Sequence, residues 1–210
     1  MAPGTTTTPA DPKPISVLFV CLGNICRSPM AEAIFRHQIT TSPIPPSLKF
    51  STIDSAGTGA YHVNSPPDPR TMSTLRAHHI TTYTHAARKI KREDFSTFDY
   101  ILAMDAENLE DLVYEKGKAV RTATGGGGGD NLEEGRDGGG NGGMKIAEVR
   151  LIGDFLPDGS VVGKVGGGEV VGDPYYGGKG GFEEVYKQLV RLSGGFLKFL
   201  EREGERKGGD

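Results

Sequence analysis

The chemistry of this chain concentrates in Val20-Cys21-Leu22-Gly23-Asn24-Ile25-Cys26-Arg27-Ser28-Pro29. A thiol, a glycine, an amide and, six residues after the thiol, an arginine lie between an apolar run and an amphipathic one. The apolar run, Ile15 to Val20, reads as a buried strand. Pro29 suits the first turn of a helix, and Ser28 reads as its N-cap. A turn at a helix N-terminus aims several backbone N–H groups at one point, and the helix dipole adds positive potential there. Such a cup holds a phosphate-sized anion. Arg27 adds a planar fork able to take two oxygens of a tetrahedral oxyanion. The same field favours a thiolate at Cys21, which would sit below the phosphorus as a nucleophile.

An isolated cysteine at a strand end is ordinarily a small core residue. Five polar or reactive types at one strand-to-helix junction outweigh that reading. The stretch Cys21 to Ser28 resembles the signature loop of the low-molecular-weight protein tyrosine phosphatases. Asp173-Pro174-Tyr175-Tyr176 resembles the general-acid loop of the same family. Asp54-Ser55-Ala56-Gly57, Pro67-Asp68-Pro69-Arg70, Phe98-Asp99-Tyr100-Ile101-Leu102 and Met104-Asp105 extend the resemblance over most of residues 15 to 203.

The elements that must position these groups follow from pattern. Helical spacing continues through Met30, Ala33 and Ile34 to about Thr40, with His37 on the solvent side. Leu48 to Ile53 reads as a second strand. Asp68-Pro69 opens a helix reaching about His78, where the family's usual glycine is replaced by His79. The basic run Arg88, Lys89, Lys91, Arg92 reads as a solvated face. Asp99 to Met104 is the third strand, and Asp105 caps a helix ending near Gly117. Lys145 to Ile152 is the fourth strand, Asp158 to Gly172 a loose hairpin, and Phe182 to Leu200 a helical stripe kinked at Gly194-Gly195. Alternating strands and helices imply an open parallel α/β sheet with its site at the carboxyl edge. The resemblance sharpens this to a three-layer fold with a four-stranded parallel sheet and the phosphate loop after the first strand.

Composition bounds the alternatives. The chain has 210 residues, which suits one domain at 15–203 between a 1–14 tail and a 204–210 tail. Of its 32 glycines many fall at about 122–143, a stretch too polar to repay ordering and read as a flexible insertion. No Gly-Lys-Ser/Thr follows it, so it is not a nucleotide loop. A net charge of −3 points to neither nucleic acid nor an anionic membrane. Two cysteines suggest a reducing, cytoplasmic setting and are too few for a closed structural zinc site. The short apolar stretch near Lys13 lacks a signal-peptide cleavage site.

The resemblance implies phosphate-monoester hydrolysis through a cysteinyl-phosphate. Cys21 is the nucleophile, Arg27 the oxyanion clamp and Asp173 the general acid and then base. Leu22, Gly23, Asn24, Ile25, Cys26 and Ser28 form the phosphate cup, with Ser28 easing thiolate departure. Ser55 and His85 support the loop through Asn24. Tyr61, Tyr175 and Tyr176 line a cleft deep enough for a phenyl ring. Expected partners are phosphotyrosine proteins and small aryl phosphates, with inorganic phosphate as product. No cofactor or metal is required, no nucleic acid or membrane is implied, and the expected state is a monomer or weak dimer. Cys26 either fills space beneath the loop or pairs with oxidised Cys21. Three alternatives share features with this reading. Arsenate reductases of this fold need further downstream cysteines, and none follows Cys26. Protein-arginine phosphatases of the family tend to have Thr at the place of Ile25. A non-enzymatic phosphotyrosine-binding module would have lost Cys21 or Asp173.

Overall fold

A computed structural model describes residues 12–46, 48–123, 145–175 and 180–208. Tyr176, most of the N-terminal tail and nearly all of the glycine-rich insertion lie outside the described residues. Among the described residues, nine elements run in the order β1 (Ile15–Cys21), α1 (Arg27–Thr41), β2 (Phe50–Gly57), α2 (Pro69–Ala77), α3 (Asp94–Thr97), β3 (Tyr100–Ala103), α4 (Ala106–Ala123), β4 (Glu148–Leu151) and α5 (Gly181–Gly208). The sheet is four-stranded in the order β2-β1-β3-β4, and all its pairings are parallel.

Parallel strands are covered on both faces, so β1 is apolar apart from Ser16 and divides its side chains between two cores. Val17, Phe19 and Cys21 face the core built with α1, α2 and α5. Leu18 and Val20 face the second core, with Phe95, Phe98 and the α4 residues Leu109 and Leu112. Phe35, Phe155 and Phe196 join the first, with Phe155 and Phe196 centroids 4.8 Å apart. Fully burying an aliphatic or aromatic side chain of this size is worth about 1.5–3 kcal/mol. β1 is central because both cores need it, and that fixes the loop after it at the crevice where the chain turns to β2 on one side and β3 on the other.

Several expectations change in detail. β2 runs on through Asp54-Ser55-Ala56-Gly57, which carries Ser55 to the level of the phosphate loop, with Gly57 opposite Cys21. α1 starts at Arg27, so Ser28 lies inside the helix and Cys26 holds the cap position without a side-chain cap bond. The hydroxyl of Ser28 is engaged elsewhere, as described below. α5 is unbroken at Gly194-Gly195 and continues to Gly208, beyond the expected boundary at 203. Gly195 instead permits close packing, since a β-carbon there would lie 2.7 Å from the carbonyl oxygens of Phe155 and Leu156. The 158–172 hairpin is anchored rather than loose. The buried Asp154 carboxylate accepts from the amides of Gly166 and Gly168 at 2.9 Å each. His79 does take the left-handed conformation, at φ 63°.

Candidate active site

The loop from Cys21 to Arg27 is a turn built around Asn24, a non-glycine residue at φ 55°. Asparagine tolerates this region better than most residues, and here its side chain is fully engaged as well. Asn24 is buried, and its Nδ2 donates to Ser28 Oγ at 3.0 Å and to Ser55 Oγ at 2.9 Å. Its Oδ1 accepts from the Arg88 amide at 2.8 Å and lies 2.8 Å from His85 Nε2. The Asn24 amide donates to Cys21 Sγ at 3.3 Å, and Ser28 Oγ stands 3.0 Å from the same sulfur. The sulfur is therefore buried and held between a backbone donor and a hydroxyl.

Behind Asn24 lies a residue the sequence reading missed. Glu32, on α1, is 3% exposed. Its Oε2 accepts from Ser55 Oγ and from Tyr83 Oη at 2.8 Å each, and its Oε1 accepts from Arg36 Nε at 2.9 Å. Arg36 also donates to the Ile53 carbonyl, tying α1 to β2. His85 Nδ1 lies 3.5 Å from Glu32, and burial is the chief cause holding this imidazole below its ordinary range. Donor atoms of Glu32, Asp54 and His85 fall within 4.8 Å of one another. Arg36 and Arg88 already neutralise the two carboxylates, so this cluster reads as loop support. Arg88 itself corrects the solvated-face reading: it bridges Asp54 and Asp94 at 2.8 and 2.9 Å.

Arg27 is 5% exposed and is held from two sides. One Nη1 contact goes to Asp105 Oδ2 and another, at 3.1 Å, to the Val171 carbonyl. Its Nη2 lies 3.7 Å from Asp173 Oδ2. Burial works against the guanidinium charge, but Cys21, Asp105 and Asp173 more than offset it and hold its pKa above the usual value. Asp105 serves twice, because its Oδ1 also accepts from the Asn108 amide at 2.8 Å at the start of α4, as a cap should. Arg27 and Asp173, from α1 and the segment before α5, are thus drawn together, and Cys21, at the end of β1, is near enough to interact electrostatically with Arg27.

The remaining proposed residues differ in exposure. Leu22 is half exposed, and its carbonyl accepts from Gly59 at 2.9 Å. Tyr61 is 78% exposed and lies over Gly59, where a β-carbon would fall 2.5 Å from its ring. Tyr175 is exposed, and its amide donates to Asp173 Oδ1 at 3.0 Å. Burial pushes the Cys26 thiol up to about 12, with Asp68, Cys21 and Asp173 adding to the effect.

A thiol at the end of a central strand, followed by a clamped guanidinium that pairs with a carboxylate, accords with a known family. Residues 16–123 match the model for low molecular weight phosphotyrosine protein phosphatase. The chain belongs to this family. A low molecular weight phosphotyrosine protein phosphatase of Schizosaccharomyces pombe is 42% identical over 188 residues, covering 90% of this chain and 98% of the relative. The Homo sapiens protein of the same description is 40% identical over 183 residues, covering 87% and 94%. Among solved structures, a Drosophila arginine phosphatase superposes with a TM-score of 0.65 at 29% identity, covering 88% of this chain and 97% of that one. Among the described residues, no helix is long and apolar enough to cross a membrane.

Proposed function

We propose that this chain hydrolyses phosphotyrosine and small aryl phosphates through a cysteinyl-phosphate. The observation that carries the reading is the Cys21 sulfur, held by the Asn24 amide and Ser28 Oγ and near enough to interact with Arg27, whose Nη2 lies 3.7 Å from Asp173 Oδ2. The Cys21 thiolate attacks phosphorus, the bond to the phenolic oxygen breaks, and Asp173 gives that oxygen its proton. Water then attacks the phosphorus and yields its proton to Asp173. The S–P bond breaks, phosphate leaves, and Ser28 Oγ eases departure of the thiolate. Arg27 and the loop amides balance the charge on the equatorial oxygens throughout. These residues need no metal to do so. Tyr61 and Tyr175, both exposed, are the rings proposed to receive the phenyl group of the substrate.

The decisive experiment is hydrolysis of p-nitrophenyl phosphate in metal-free buffer by wild type, Cys21→Ser and Asp173→Ala. Activity should vanish in the first variant, and kcat should fall sharply in the second, because Asp173 is also the base that activates water in the second step. Inactive, reduced wild type would demote the protein to a phosphate-binding module. The arginine phosphatase shares the fold, so substrate choice needs its own assay. The side chain of Ile25 favours phosphotyrosine, and preference for phosphoarginine over a phosphotyrosine peptide would overturn that choice.

A further inference from the structure

Asp173 must be held near the leaving group without being locked there, and among the described residues backbone bonds fix its upstream side. The Val171 amide donates to the Met104 carbonyl at 2.7 Å, and Arg27 donates to the Val171 carbonyl. Downstream, the Tyr175 amide donates to Asp173 Oδ1 at 3.0 Å, so Asp173 and Tyr175 move as one turn. Arg70 meets this turn at its tyrosine. Its guanidinium carbon stands 5.0 Å from the Tyr175 ring centroid and 4.6 Å from that of Phe182, at the start of α5.

Arg70 is itself held at its root. Asp68 Oδ1 accepts from Arg70 Nε at 3.0 Å and Oδ2 from Nη2 at 2.8 Å, a two-point contact that fixes the plane of the guanidinium. Asp68 in turn is fastened to the phosphate loop, because its amide donates to the Ile25 carbonyl at 2.8 Å. Thr71 Oγ1 donates to the Cys26 carbonyl at 3.4 Å. A continuous path therefore runs from the phosphate loop through Asp68 and Arg70 to Tyr175 and Asp173. A lysine in place of Arg70 could neither make the two-point contact nor present a flat face to two rings.

We infer that Arg70 is a positioning residue for the general acid: it registers the Asp173–Tyr175 turn against the phosphate loop. This inference rests on the proposed role of Asp173. It makes a specific demand on kinetics, since a misplaced acid matters most when the leaving group needs a proton. Phenolate needs one, whereas p-nitrophenolate leaves well without it.

The test compares kcat/KM for phenyl phosphate and p-nitrophenyl phosphate in wild type, Arg70→Leu, Arg70→Lys and Asp173→Asn. Both Arg70 variants should lose about fivefold or more on phenyl phosphate and less than about twofold on p-nitrophenyl phosphate. In the Asp173→Asn background, Arg70→Leu should add nothing further on phenyl phosphate. Arg70 is half exposed, so the Lys variant guards against a folding defect in Leu. Equal losses on the two substrates, or none, overturn the inference while leaving the acid in place, provided that Asp173→Asn is itself selective for phenyl phosphate. If Asp173→Asn shows no such selectivity, the acid assignment falls, and the role of Arg70 falls with it.

Discussion

Asn24 Nδ2 reaches Ser55 Oγ at 2.9 Å across 31 positions of the sequence. This bond joins the loop after β1 to the end of β2 and places a left-handed residue beneath the nucleophile. Two costs are combined at Asn24: a backbone conformation that side chains resist, and buried polar groups that need partners. They separate by substitution. Asn24→Gly relieves the first and loses the second, whereas Asn24→Ala suffers both. Thermal or urea unfolding should show Ala less stable than wild type by about 1–3 kcal/mol or more, with Gly between them. Both should lose phosphate affinity. Equal stability of Gly and Ala would show that the backbone conformation costs nothing here.

Asp105 separates capping from catalysis in the same way. Its Oδ1 caps α4 and its Oδ2 faces Arg27. Asp105→Asn keeps an acceptor for the Asn108 amide but removes the charge that helps to hold the guanidinium. Stability should change by less than about 1 kcal/mol, while kcat/KM on an aryl phosphate falls about tenfold to a hundredfold. A variant as active as wild type would mean that Val171 alone orients Arg27.

The support network predicts a pH signature. Burial, opposed by Glu32 and Asp54, holds His85 below its ordinary value of 6.5 in the folded state. A depressed imidazole favours the neutral form on folding. Its contribution is therefore present above about pH 6.5 and is lost as pH falls through the lower folded value. Urea midpoints at pH 7.5, 6.5 and 5.5 should fall more steeply for wild type than for His85→Gln. Parallel slopes would show that His85 does not titrate with unfolding.

The sequence disclosed the sheet and the loop more readily than the network under them. Apolar runs such as Val17 to Val20 and helix starts such as Asp68-Pro69 leave direct marks, and the phosphate loop carries five informative residue types together. Glu32 leaves almost none. It sits in α1 where a charged residue would ordinarily be solvated, and its burial depends on Ser55, Tyr83 and Arg36 converging on it. Its one local mark is an arginine four positions on. Ser28 misled for the opposite reason: its position fits an N-cap, but the nearby sulfur and Asn24 engage its hydroxyl. Arg88 looked like part of a charge run, and only the fold brings Asp54 and Asp94 to it.

Cys26 carries the last prediction. Its thiol is pushed up to about 12, chiefly by burial, so at neutral pH it is a thiol beside the reactive sulfur's loop. Peroxide takes the Cys21 thiolate to a sulfenic acid while being reduced itself. Attack by the Cys26 sulfur on the Cys21 sulfur then forms a disulfide and expels water, with the Cys26 proton leaving in that water. The disulfide is reversible, whereas further oxidation to the sulfinic acid is not. Wild type treated with peroxide and then with excess dithiothreitol should regain most of its activity. Cys26→Ser, treated alike, should stay largely inactive, and intact-mass measurement should find two added oxygens on Cys21. If Cys26→Ser recovers as fully as wild type, Cys26 only fills space beneath the loop.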